Sequence, residues 1–327
     1  MYKSKGLKYI SIQKVKDYFI KYKYATKNDI ADSTKLSHAT ITNILKELLD
    51  NHYIEQVEDC ESTGGRKAKR YKICGAYMFF GLIDLHVEKH IIHVMCRVID
   101  LDFRIIKNVQ YCYKQLSKEK LIHIIQKLKD DHFLEHISLS IPAIVNNGKI
   151  EKCDIDSLEN IDLKEYIESK CDIQVAIEND VNTAMLGYIH THEIKSSSVA
   201  FVYQPDHHHS GCGLYINHAI LYGATHFAGE LGYLPNGTLI EQEETLKNNP
   251  LSLLVKQVTS IIAIVNPSLI ILHAPCINDA EFIHMIEVNL PHQHLPQFQF
   301  IESMEKNIFD GLACLCIENS RYKGIGE

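Results

Sequence analysis

Val175-Ala-Ile-Glu178-Asn179-Asp180-Val-Asn182-Thr-Ala-Met-Leu-Gly187 is the stretch on which the reading of the fold turns. Its apolar beginning, Val175 to Ile177, reads as a buried strand, and Asn182 to Tyr188 reads as a helix. Between them stand Asn179 and Asp180, an amide beside a carboxylate. Such a pair supplies donors and acceptors for a polyol, and an Asn or Asp at a strand-to-helix junction also caps the free N–H groups of the helix. The residues alone leave both roles open.

Outward from this junction, from Tyr77 on, the same alternation recurs. Phe79 to Leu85, His90 to Val98, Ile137 to Ile141, Val199 to Val202, Gly213 to Ile216 and Leu269 to Leu272 read as strands, and Leu121 to Leu128 as a helix. Alternating strands and helices predict an α/β body. No internal sequence repeat is visible, and the acidic segment Glu241 to Glu244 reads as solvated surface.

The first 75 residues differ. Ile10, Ile12, Val15, Phe19 and Ile20 fall near helical spacing between lysines. Thr26 is placed to cap a second helix over 27–33, and Ser37 a third in which Ile41, Ile44, Leu45, Leu48 and Leu49 repeat toward Asp50. The third helix exposes His38, Ala39, Thr40, Thr42 and Asn43, short side chains that let a helix lie deep in a major groove. Tyr53 to Glu58 and Lys69 to Ile73 read as strands joined by a loop with Gly64, Gly65, Arg66 and Lys67. Helix, turn, helix and basic hairpin predict a winged helix-turn-helix, with Ser37, His38, Thr40, Thr42, Asn43, Arg66 and Lys67 on double-stranded DNA.

Charge supports the division. Residues 1 to 74 hold 15 Lys or Arg against 9 Asp or Glu, whereas the whole chain of 327 residues has a net charge of −7, so the remainder is strongly acidic. The basic end is where a polyanion would bind. The longest apolar stretch, Ser260 to Cys276, is interrupted by Asn266 and Pro267 and is too short for a membrane span. No signal-like h-region follows Met1, so a cytoplasmic chain with no membrane partner is expected. The ten cysteines, spread from Cys60 to Cys316, read as reduced thiols.

With Ile141-Pro142-Ala-Ile-Val, the Glu178-Asn179-Asp180 stretch and Gly223-Ala-Thr-His-Phe-Ala-Gly229-Glu230-Leu-Gly232, the chain resembles the ROK family of bacterial repressors and sugar kinases. Asn266-Pro267-Ser-Leu-Ile-Ile-Leu is similar to the family's late strand. The resemblance implies a two-lobed actin-like ATPase (ribonuclease H-like) fold with a sugar in the cleft. In the family's kinases the aspartate at Asp180 is the general base, and Asn179 and Glu230 would hold other hydroxyls. The implied domains are a DNA-binding head (1–75), a first α/β lobe (76–188), a second α/β lobe (189–310) and a C-terminal helix (311–327) packing back on the first lobe.

The catalytic pattern is broken. Where the kinases have Asp-x-Gly-Gly-Thr, this chain reads Asp84-Leu85-His86-Val87-Glu88, and where they have Gly-Thr-Gly-x-Gly it reads His207-His208-His209-Ser210-Gly211. His273-Ala274 replaces the glycine pair beside adenosine. Phosphoryl transfer needs bare backbone around phosphates and groups that organise magnesium, so no catalytic residue and no cofactor is expected. The family's zinc-binding histidine falls at Tyr233, which retains one hydrogen bond for a ligand, and Leu234 to Leu251 contains no cysteine. His207 to His209 read as a solvated loop, with a metal site as the other possibility.

These features together predict a transcriptional repressor that senses a sugar-like effector and works as a homodimer or dimer of dimers. The competing readings are a hexose kinase and a regulator that has lost sensing.

Overall fold

The computed structural model describes residues 2–22, 24–57, 69–206 and 208–320. The N-terminal unit comprises α1 (Tyr2–Lys21), β1 (Ala25–Thr26), α2 (Lys27–Thr34), α3 (His38–Asp50), β2 (Ile54–Val57) and β3 (Arg70–Ile73). The strands form an antiparallel sheet in the order β1-β3-β2. Val15, Phe19, Ile30, Ile41, Leu45 and Leu48 close its core. Ile10, expected in the buried stripe of the first helix, is 53% exposed, because α1 begins well before the part that packs.

This unit is bolted to the body. Lys72 on β3 donates to both carboxylate oxygens of Asp102, at 2.7 and 2.6 Å, and also meets Glu55 at 3.1 Å. The Leu101 N–H donates to the Gly75 carbonyl. This part-buried ion pair and the backbone bond tie the unit to a turn in the first lobe.

The first lobe contains β4 (Phe79–Glu88), β5 (Ile91–Asp100), β6 (Ile105–Tyr113), α4 (Lys118–Asp131), β7 (Leu134–Ile141), β8 (Ala143–Asn146), β9 (Lys149–Cys153), β10 (Ile161–Asp162), α5 (Leu163–Cys171), β11 (Gln174–Asn179) and α6 (Asp180–Thr191). The second adds β12 (Ser198–Tyr203), β13 (Gly211–Ile216), β14 (Ala219–Ile220), α7 (Leu239–Asn248), α8 (Pro250–Val265), β15 (Leu269–His273), α9 (Asp279–Asn289) and β16 (Gln297–Phe300), followed by α10 (Glu305–Asn319). The five-stranded sheets are ordered β6-β5-β4-β7-β11 and β14-β13-β12-β15-β16. Each has an antiparallel meander on one side and parallel strands on the other, so the lobes share a topology that the sequence does not repeat.

Helix α10 lies on the first sheet and α6 reaches the second, and the two helices cross where backbone meets backbone. A Cβ at Gly187 would come 1.9 Å from the Asn307 carbonyl oxygen, and one at Gly311 would come 1.9 Å from that of Thr183. Only glycine fits at either point. The C-terminal helix starts at Glu305 rather than at the expected 311, because Ile308 and Phe309 already belong to its buried face. The described cysteines are free thiols, and burial pushes Cys316 up to about 12.

Candidate functional site

On the N-terminal unit, α2 and α3 are set by their caps. Thr26 and Asp29 form a reciprocal capping box, and Lys35 closes α2 in the left-handed region at φ 59°. Ser37 Oγ accepts from the Thr40 N–H at 3.2 Å and lies 2.8 Å from Thr40 Oγ1, so both hydroxyls are spent on the cap. Thr42 Oγ1 donates to the His38 carbonyl at 2.7 Å. His38, Ala39, Thr42 and Asn43 stand exposed opposite the buried Ile41, Ile44, Leu45 and Leu48. Lys46, one turn beyond Thr42, extends this face, and its four-residue spacing from Thr42 is visible in the sequence. Arg66 and Lys67 lie outside the described residues.

At the strand-to-helix junction, Asn179 is the N-cap of α6. Its Oδ1 accepts from the N–H groups of Val181 (2.9 Å) and Asn182 (3.1 Å), while Nδ2 donates to the Ala143 carbonyl (3.0 Å). The amide expected to hold a hydroxyl is thus occupied by the backbone. Glu178, which sequence reasoning missed, carries the polar wall. It is buried and accepts from the Asn179 N–H (2.8 Å), Asn182 Nδ2 (3.1 Å) and the Tyr222 hydroxyl (2.7 Å). Burial pushes its carboxyl up, and these three bonds oppose that shift.

Glu178, Asn179, Tyr222, His226 and Glu230 line one cavity of about 40 Å³, room for water and far below the roughly 300 Å³ at which ligand pockets begin. The Tyr222 ring lies over His226, 4.7 Å between centroids, and His226 adopts φ 57° with its Nδ1 buried and unpartnered. Nothing in the sequence pattern announced that Tyr222 folds inward, since its position depends on the loop conformation from Gly223 to Gly229. Tyr233 does not join this cavity. It is 51% exposed, takes a hydrogen bond from Lys152 Nζ at 3.3 Å, and lies at a tilt against Phe227 over a shallow apolar groove, which it shares with Glu230.

Asp180, the first residue of α6, faces the other half of the cleft. Its carboxyl is pushed up to about 7 by burial and then by the Asp84 carboxylate, against a hydrogen bond from the Val181 N–H. Asp84 on β4 is 2% exposed; its Oδ2 lies 3.0 Å from His86 Nδ1, and its Oδ1 has no partner. That contact raises the His86 imidazole against the effect of burial, and the ring stacks on His93 across β4 and β5.

The elements that would hold a nucleotide carry side chains instead. His273 stacks on Tyr203 and bonds the Ile301 carbonyl through Nδ1 at 2.9 Å. Ser210 Oγ lies 2.5 Å from Gln204 Oε1 and 2.8 Å from Gln257 Oε1, and Gln204 Nε2 donates to the His208 carbonyl. These residues do not fit a triphosphate, and Tyr233 with a cysteine-free Leu234 to Leu251 does not fit the family's zinc. Among the described residues no group of three His, Cys, Asp or Glu side chains could hold a metal; His207 lies outside them.

Residues 91–245 match the ROK family, so a ROK family domain is present. The DNA-binding transcriptional dual regulator NagC of Escherichia coli K12 is 23% identical over 222 residues, covering 63% of this chain and 52% of that protein. The chain spans about half the length of the curated relatives it matches. A ROK family transcriptional regulator described as a homologue of the E. coli MLC protein aligns over 97% of both chains, with a TM-score of 0.60 and 15% identity. A putative N-acetylmannosamine kinase, Lmo2764 of Listeria monocytogenes, aligns over 73% of this chain and 98% of its own, with a TM-score of 0.60 and 16% identity. At such identities the structural likeness is one of fold. No helix among the described residues is long and apolar enough to cross a membrane.

Proposed function

We propose that the chain is a cytoplasmic DNA-binding transcriptional regulator, a repressor, whose ROK body senses a sugar-like molecule and does not phosphorylate it. The observation that carries this reading is the face of α3: short exposed side chains at His38, Ala39, Thr42 and Asn43 on a capped helix, in a basic unit pinned to the body through Lys72 and Asp102. In this reading the N-terminal unit is a winged helix-turn-helix, α3 enters the major groove, and Arg66 and Lys67 meet phosphates or the minor groove. Ser37 and Thr40 shape the helix start, and Lys46 adds a phosphate contact. A homodimer on a pseudo-palindromic site supplies the specificity that a single short helix lacks.

Carboxylates and imidazoles where phosphates would lie support a sensor over an enzyme. Effector binding regulates DNA affinity only to the extent that it favours one lobe arrangement over another. Selection of bound duplexes from a random pool, followed by anisotropy titration, tests the reading. A specific site is expected, weakened by Asn43→Ala at that site and by Arg66→Ala on selected and unrelated DNA alike. Absence of any duplex binding at low salt refutes it, and robust ATP turnover with hexoses would restore the kinase reading.

A second reading, a regulator that no longer senses, is favoured by one observation: the Tyr222 hydroxyl already occupies Glu178 and leaves only a small cavity. Thermal-shift screening with neutral sugars separates the two. A shift enlarged in Tyr222→Phe supports sensing, and silence in both proteins supports its loss.

A further inference from the structure

We propose that the Asp84 end of the cleft is a subsite for a protonated amine carried by the effector, held by Asp84 Oδ1, Ser140 Oγ and the Asp180 carboxylate. This rests on reading the cleft as an effector site, and it names the chemistry of that effector.

Asp84 pairs in register with Ser140, and Ser140 with Glu178, so the three side chains stand in a row on one face of the first sheet. All three residues are buried: Asp84 is 2%, Ser140 0% and Glu178 7% exposed. Glu178 has three donors, whereas Asp84 Oδ1 and Ser140 Oγ, one strand apart, have none. Buried polar atoms are almost always paired, and adjacent orphans point to a group that fits between them.

Asp180 adds a third acceptor. Its side chain is held only by backbone N–H groups, those of Val181 and of Asp180 itself, among the described residues, and it faces the repulsion of Asp84 and Asp154. Lys152 is engaged with Tyr233, and His86 is drawn to the carboxylates of both Asp84 and Asp180 but takes only the other oxygen of Asp84, which leaves Asp84 Oδ1 without a donor. An ammonium has three N–H donors and one positive charge, which suit the open Asp84 oxygen, the Ser140 hydroxyl and a pair of carboxylates that share one imidazole. A divalent metal would need more ligands than the described residues gather here.

The test measures the melting temperature of the full chain at pH 8 in tens of millimolar ethanolammonium chloride, against tetramethylammonium chloride of equal strength, which has charge but no N–H. Ethanolammonium is expected to raise the midpoint by about 2 °C beyond the control. Asp84→Asn should abolish that excess. Ser140→Ala, which removes a hydroxyl that bonds nothing, should reduce it while leaving the amine-free midpoint unchanged or higher. Equal shifts in the two salts, or an excess undiminished in Asp84→Asn, overturn the proposal and leave water as the occupant. An Asp84-dependent rise with magnesium chloride alone overturns it in favour of a metal. Loss of DNA binding would not touch this result, because the readout is the stability of the unbound chain. An amine shift without any neutral-sugar shift would defeat the sugar reading while upholding the subsite.

Discussion

The two ends of the cleft are built from the same sheet face and have opposite polar accounting. At the Glu178 end both oxygens of the central carboxylate are filled from within the chain, by the Asn179 N–H, Asn182 and Tyr222. At the Asp84 end, two strands away, Asp84 Oδ1 and Ser140 Oγ are buried and bond nothing, and two carboxylates oppose each other. The Tyr222 hydroxyl closes the Glu178 end, whereas the Asp84 end keeps two buried polar atoms without partners. Buried unsatisfied groups are costly, so the two ends should respond differently to substitution.

The sharpest break of this contrast is Glu178→Ala. It strands Tyr222, Asn182 and a backbone N–H, and is expected to cost about 3 kcal/mol in urea unfolding. A loss no larger than that of an exposed substitution would mean the network does not stabilise the fold. Next is pH. Because Asp180 is raised to about 7 when folded and lies near 3.8 when unfolded, the folded state binds the extra proton between those values. Stability is therefore lost as pH rises through that window and is level above it. Wild type should lose about 2 kcal/mol relative to Asp180→Asn between pH 5 and pH 8. Parallel pH profiles for the two proteins would show that Asp180 is not held in that state.

Smaller effects complete the comparison. Tyr222→Phe should cost about 1–2 kcal/mol by leaving Glu178 one donor short, whereas Asp84→Asn should stay within about 1 kcal/mol, since it removes repulsion along with the His86 contact. Equal losses at both ends would erase the asymmetry. The smallest change is at the β4–β5 turn, where Lys89 and His90 both take positive φ, 48° and 63°. His90→Gly should raise stability by about 0.5 kcal/mol, read as a higher urea midpoint.

Local chemistry was legible in the sequence where it depends on neighbours along the chain. The caps at Thr26 and Ser37 follow from side-chain oxygens facing N–H groups two or three residues on, and both were readable. The strand before Asn179 was equally visible, although α6 starts at Asp180, two residues earlier than periodicity suggested, because Asn179 does the capping. What could not be read is set by residues far apart. Tyr222 reaches Glu178 through a loop whose course no spacing rule specifies, and Ser140 gains meaning only when strand pairing sets it beside Asp84. Strand β6 was missed because its exposed Ile105 and Ile106 break the expected alternation.

The crossing of α6 and α10 limits how the lobes can move. Gly187 against the Asn307 carbonyl and Gly311 against that of Thr183 leave no cushion of side chains to shear, so relative motion has to swivel about that contact like a pin through a pair of shears. With the N-terminal unit clamped to the first lobe by Lys72 and Asp102, any such swivel is delivered to α3 as a change of heading.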